Sequence, residues 1–156
     1  ATSHDNNRLI AHYLAYRVTQ ESASFTVKLH LIYLMNDVLH HCVRKYADEL
    51  KQSLESVAVE MFCAAWTSSN NDNGTISTER ESAEARQLKL SKLIKLWEDK
   101  SIFSPSTLNK MRSAEESWKA YTQQLRLDYV DVINKETNEV VQTYDQYAAQ
   151  VISFVS

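Results

Sequence analysis

The stretch Leu29-His30-Leu31-Ile32-Tyr33-Leu34-Met35-Asn36-Asp37-Val38-Leu39-His40-His41-Cys42 decides how this chain is read. It carries no glycine or proline and is too apolar for an ordinary surface segment. At about 100° per residue, Leu31, Met35, Val38, Leu39 and Cys42 fall on one side of a helix. Tyr33, Asn36, Asp37 and His40 fall together on the other. An adjacent Asn-Asp on so apolar a helix needs a physical reason. Buried amides and carboxylates require hydrogen-bond partners. The polar column is therefore satisfied inside the fold, or it faces water, or it lines a groove where a ligand supplies the partners.

The composition around this stretch excludes most architectures. A chain of 156 residues fits one domain with a real core. It has one glycine, Gly74, and one proline, Pro105, with 44% hydrophobic residues. Sheets and their tight turns need more of both, so the expectation is an all-α fold. Cys42 and Cys63 both sit in apolar helical contexts and suggest no disulfide framework. With no secretory signal and no apolar run of transmembrane length, a reducing compartment is expected, cytoplasm or nucleus. On that footing Asn73-Gly74-Thr75 is a chance match to a glycosylation acceptor.

The net charge of −3 hides an asymmetry. Arg86 to Arg112 holds seven basic residues against two acidic, whereas Ser113 to the end holds seven acidic against three basic. A local basic segment in a mildly acidic chain argues against generic nucleic-acid coating and for a small anionic partner. The competing interpretation is a solvated lysine-rich helix face.

Hydrophobic periodicity divides the chain into helices. The first runs from Asn6 to about Glu21, with Leu9, Ile10, Tyr13, Leu14 and Val18 as its apolar face. The second spans Phe25 to about Arg44. The third spans Tyr46 to about Trp66, with Leu50, Leu54, Val57, Val59, Met61 and Phe62 at apolar positions. A polar stretch over 68–81 reads as a mobile loop. The helix from about Ser82 to Lys100 carries the stripe Leu90, Leu93, Ile94 and Trp97. Lys89 and Lys100 border that stripe, and Lys92 lies further round the same edge. Ser104-Pro105 looks like an N-cap followed by proline at the first helical position, opening a short helix through Met111. From Ala114 to Val155 apolar residues recur at threes and fours, as one long helix or as two divided near Asn134–Asn138. Some coiled-coil character is compatible with this pattern, although the seam is too ragged to assign one.

Catalytic and metal chemistry find little support. Consecutive residues on a helix diverge by about 100°, so His40, His41 and Cys42 do not chelate one ion. No nucleophile constellation, phosphate loop or glycine-rich cofactor turn is present. The expectation is no enzyme, no metal and no cofactor.

Two separated segments share a resemblance. Leu31-Ile32-Tyr33-Leu34-Met35-Asn36-Asp37-Val38-Leu39 resembles the Tyr-Leu-x-Asn-Asp-Val signature of the fourth helix of CTD-interacting domains (CID, also called RPR domains). Leu93-Ile94-Lys95-Leu96-Trp97-Glu98-Asp99-Lys100-Ser101-Ile102-Phe103 resembles that family's later Leu-Leu-x-Ile-Trp-Glu-x-Arg-x-Ile-Phe segment. The resemblance covers about Asn6 to Arg126, a CID-like domain over 1–126 followed by a long helix over 114–156 that packs on it or extends it. It implies a right-handed superhelical helix array of about eight helices, related to VHS and ENTH domains. It also implies a nuclear, non-enzymatic module that binds the phosphorylated C-terminal tail of RNA polymerase II and links transcription to splicing. Matched position by position, Tyr33, Asn36 and Asp37 correspond to groove residues that hold the tail's turn and tyrosine. His40 and His41 stand where relatives place Gln, Asn or Lys near the peptide. Lys92 and Lys100 match positions where relatives often carry Arg that reaches phosphoserine.

Two departures accompany the resemblance. Lys100 replaces the commoner Arg, exchanging a planar bidentate fork for a point charge. The resemblance also implies a start at the family's third helix, since the first two are not recognisable before Asn6. Two other functions compete with tail binding. One is a structural module with a weakened groove, docking a splicing factor through its acidic C-terminal helix. The other is a trafficking adaptor for phosphoinositides or sorting peptides, which the lack of a basic amphipathic leader disfavours. Direct membrane contact and nucleic-acid binding are not expected of this domain.

Overall fold

The computed structural model describes residues 3–71 and 81–155. Among these residues the chain is all-α, with six helices and no strand: α1 (Ser3–Thr19), α2 (Phe25–Lys45), α3 (Asp48–Ser69), α4 (Ala83–Asp99), α5 (Pro105–Arg112) and α6 (Ala114–Val155). The chain divides into two compact units, Ala1–Lys119 and Ala120–Ser156. No helix among the described residues is long and apolar enough to cross a membrane.

The first unit is organised around α3, which touches α1, α2, α4 and α5. Its buried surface runs almost all the way round: Leu54, Val57, Ala58, Met61, Phe62, Cys63, Ala64 and Ala65. A helix apolar on so many sides must be enclosed on several sides. Phe62 stacks near Trp66 at 6.1 Å and meets Trp97 edge-on at 6.2 Å, while Phe103 meets Trp97 edge-on at 5.0 Å. These offset and T-shaped contacts are the preferred geometries for aromatic quadrupoles.

The face of α1 agrees with the expected one at Leu14 and Val18 and departs from it elsewhere. Its buried residues are Ala11, Leu14, Ala15 and Val18, whereas Leu9, Ile10 and Tyr13 are exposed. Bulk misled the wheel: the small alanines let α1 lie close against α3, its main partner, and the large apolar residues sit off that contact. On α2 the buried face is Phe25, Lys28, Leu29, Ile32, Met35, Leu39 and Cys42. Ile32 lies at the centre of that face, and Leu31 and Val38 are only half-buried at its border. The Leu90, Leu93, Ile94 and Trp97 stripe of α4 is buried as expected.

Local chemistry sets the helix ends. Ser24, Ser82 and Ser104 each cap a helix, their Oγ accepting the backbone N–H of Val27, Ala85 and Thr107. Pro105 follows Ser104 at the start of α5, as its sequence signature requires. Ser68 and Ser69, expected in the polar loop, instead complete α3. Asn70, Asn71 and Glu81 of that loop lie outside helices, and 72–80, with Asn73-Gly74-Thr75, are outside the described residues. Arg86 ties the flanks of this stretch together, donating to the carbonyls of Ser69 and Asn71 and lying 5.8 Å from the Phe25 ring.

The second unit is helical from Ala120 through Val155, and α6 runs unbroken past Asn134–Asn138. Asn side chains weaken a helix by only a few tenths of a kcal/mol each, too little to break it without Gly or Pro.

Candidate functional site

The polar column of α2 is held in place by one long-range bond. The indole Nε1–H of Trp97 donates to Oδ1 of Asn36 at 2.9 Å, linking α2 to α4 across 61 residues of sequence. This bond gives the half-buried Asn36 a structural role. Its carbonyl oxygen is occupied by Trp97, so the side-chain NH₂ is the end left to offer outward as a donor. On the water side of Asn36, Tyr33 and Asp37 are exposed, His40 is half-buried and His41 is exposed. Buried residues of α2 thus fix the helix, and its Asn36 edge opens onto a phenol, a carboxylate and an imidazole one turn apart.

Trp97 is itself rigidly placed. α4 ends with Lys100 donating its N–H to Leu96 and Ile102 reaching back to the Trp97 carbonyl at 2.9 Å. Ser101 between them takes φ 51, the left-handed conformation of a Schellman stop. The turn buries Ile102 and Phe103, and Phe103 closes one side of the indole. Lys100 follows Trp97 by three residues, about 60° from it round the helix. Lys92, five residues before Trp97, lies about 140° away round the helix. Of the two candidate lysines, Lys100 stands nearer to Trp97 round α4.

The basic segment divides on inspection. Lys89 pairs with Glu81 at 2.6 Å, Arg112 pairs with Glu98 at 2.9 Å, and Arg86 is engaged as described. Lys92 and Lys100 are exposed and form no ion pair among the described residues. They are free to meet an anion.

Sequence reading missed two features. Trp97 was assigned only to the core stripe, although its indole N–H also orients Asn36; a buried tryptophan's need for an acceptor was the available signal. Arg44 is exposed and continues the α2 column, four residues beyond His40 and seven beyond Asp37. That spacing was legible. His40, His41 and Cys42 point in different directions: Cys42 is in the core, and burial raises its thiol pKa. No metal-competent cluster occurs among the described residues.

Comparison with known proteins adds the lineage. The family model of the CID domain matches residues 1–111, from α1 into α5. The chain belongs to the CID family. The Tyr33-to-Val38 and Trp97-to-Phe103 segments that carry the resemblance both lie inside the match, and the all-α array is that of a CID. The CID is also 32% identical, over all 156 residues, to calcium homeostasis endoplasmic reticulum protein of Mus musculus, and 34% identical over 133 residues to the protein of that name in Homo sapiens. It spans only 15% of the mouse protein's length, and the human alignment covers 85% of the chain and 13% of the relative. No solved structure matches it significantly. A CID is a protein-interaction module.

Proposed function

We propose that this CID binds the phosphorylated heptad-repeat tail of RNA polymerase II without catalysing a reaction, and acts in the nucleus to link transcription to pre-mRNA splicing. The observation that supports this most is the Trp97–Asn36 bond, which ties α4 to the helix whose exposed edge carries Tyr33 and Asp37, with Lys100 exposed three residues beyond Trp97. A phosphoserine brings a charge of about −1.5 to −2 and three acceptor oxygens, and is suited by a cation at the edge of a neutral groove. Asp37 accepts from a tail hydroxyl or backbone N–H, and the Asn36 amide donates to a tail carbonyl. Lys100 supplies the phosphate's counter-charge as a point charge, so affinity for a single repeat is expected to be weak and to rise through several repeats.

Fluorescence anisotropy with tail peptides of two repeats tests this reading. A phosphorylated peptide is expected to bind about tenfold or more tighter than its unphosphorylated form, with Lys100→Ala removing most of that difference. Asp37→Ala is expected to weaken both peptides by a similar factor. Equal affinity for the two peptides, or unchanged binding by Asp37→Ala, counts against the proposal.

A further inference from the structure

The second unit carries a feature that tail binding does not use. Along α6, Leu125, Tyr129 and Ile133 precede Glu136, and Val140, Tyr144 and Tyr147 follow it. The spacings are 4, 4, 3, 4, 4 and 3, an 11-residue repeat running twice. Eleven residues make three turns at about 3.67 residues per turn, so these positions form one nearly straight stripe down the helix. The repeat escapes a heptad search, which drifts off it within two turns. Each of the six apolar members is between 41% and 70% exposed. The other charged residues of the unit, such as Arg126, Asp128 and Lys135, lie off the stripe.

We propose that α6 pairs with α6 of a second copy of this chain along that stripe. Two arguments select a second copy over another occupant. The first is self-complementarity. Counted outward from Glu136, apolar residues stand 3, 7 and 11 positions before it and 4, 8 and 11 after it. The stripe thus reads almost the same from both ends, which suits an isologous two-fold contact. The second is area. At the observed exposures the six side chains offer about 100 Å² apiece, so two copies would bury roughly 1,200–1,500 Å², within the range of a stable specific interface. Two-fold pairing about the middle of the stripe, or in parallel register, brings the Glu136 carboxylates of both copies together. That pair of like charges keeps the association reversible.

Sedimentation equilibrium of the full 156-residue chain from 1 µM to 1 mM tests the proposal. A concentration-dependent shift from one chain to two is expected, and Glu136→Leu should tighten it by about tenfold or more. Tyr129→Glu with Tyr144→Glu should leave one chain at every concentration, with the tryptophan emission of the first unit unchanged. A mass of one chain throughout, in both wild type and Glu136→Leu, overturns the proposal. So does a dimer that survives the double tyrosine substitution. Tail-peptide affinity provides a separate readout, since none of these residues belongs to the α2 column.

Discussion

Trp97 in the first unit and Tyr144 in the second are aromatic residues at helical spacing on amphipathic helices, yet one is 0% and the other 70% exposed. Trp97 is enclosed by Phe62 and Phe103 and bonded to Asn36. Tyr144 belongs to a stripe whose apolar members are all exposed. Periodicity identifies a face, but only a second element determines whether that face becomes a core or a surface. In the first unit α3 supplies that element to four helices at once.

The sharpest way to break this contrast is at Trp97. Trp97→Ala is expected to cost about 3–5 kcal/mol in urea unfolding, because it empties the aromatic cluster and strands the Asn36 carbonyl. Trp97→Phe retains most of the ring packing and removes only the donor, so a loss nearer 1–3 kcal/mol is expected. A loss below 1 kcal/mol for the alanine variant would sink the view that Trp97 holds α2 to α4.

The next effect uses a probe confined to the first unit, where both cysteines lie buried. Burial pushes the Cys63 thiol from its ordinary 9.0 up to about 12. The folded chain keeps a proton that the unfolded chain releases above pH 9, so this group's stabilisation falls as pH rises from there towards 12. The slope is about 1.4 kcal/mol per pH unit. Urea titrations at pH 8.5 and 10 should differ less in Cys63→Ala than in wild type. Equal differences in the two proteins would show that Cys63 is not sealed.

How much was legible follows the same division. The α4 stripe, the Ser104-Pro105 start of α5 and the α2 column were readable because each depends on residues within a turn or two of one another. The α1 face was legible at Leu14 and Val18 but not at Ala11 and Ala15, whose value lies in how closely α3 can approach. The Asn36–Trp97 bond was hidden because nothing local pairs residues 61 apart.

A smaller effect is expected at Tyr46, which ends α2 at φ 55 with its N–H bonded to the Cys42 carbonyl. A side chain in the left-handed region costs about 1 kcal/mol relative to glycine, and Tyr46 is exposed enough to lose little packing. Tyr46→Gly should therefore stabilise the first unit by about 0.5–1 kcal/mol, read as a raised urea midpoint at unchanged m-value. A destabilisation would mean that the Tyr46 ring contributes contacts beyond its backbone role.

The smallest effect completes the comparison. At 1 µM, the lowest concentration of the association series, Tyr144→Ala should change unfolding of the first unit by less than about 0.5 kcal/mol. The ring removed is as large as a core aromatic, but water already contacts most of it, so its loss opens no cavity. Alanine is also the better helix former, which offsets what little packing disappears. A cost of 2 kcal/mol or more, matching a core deletion, would mean that the stripe is covered within a single chain. That result would break the contrast with Trp97 and remove the surface on which a second α6 is proposed to dock.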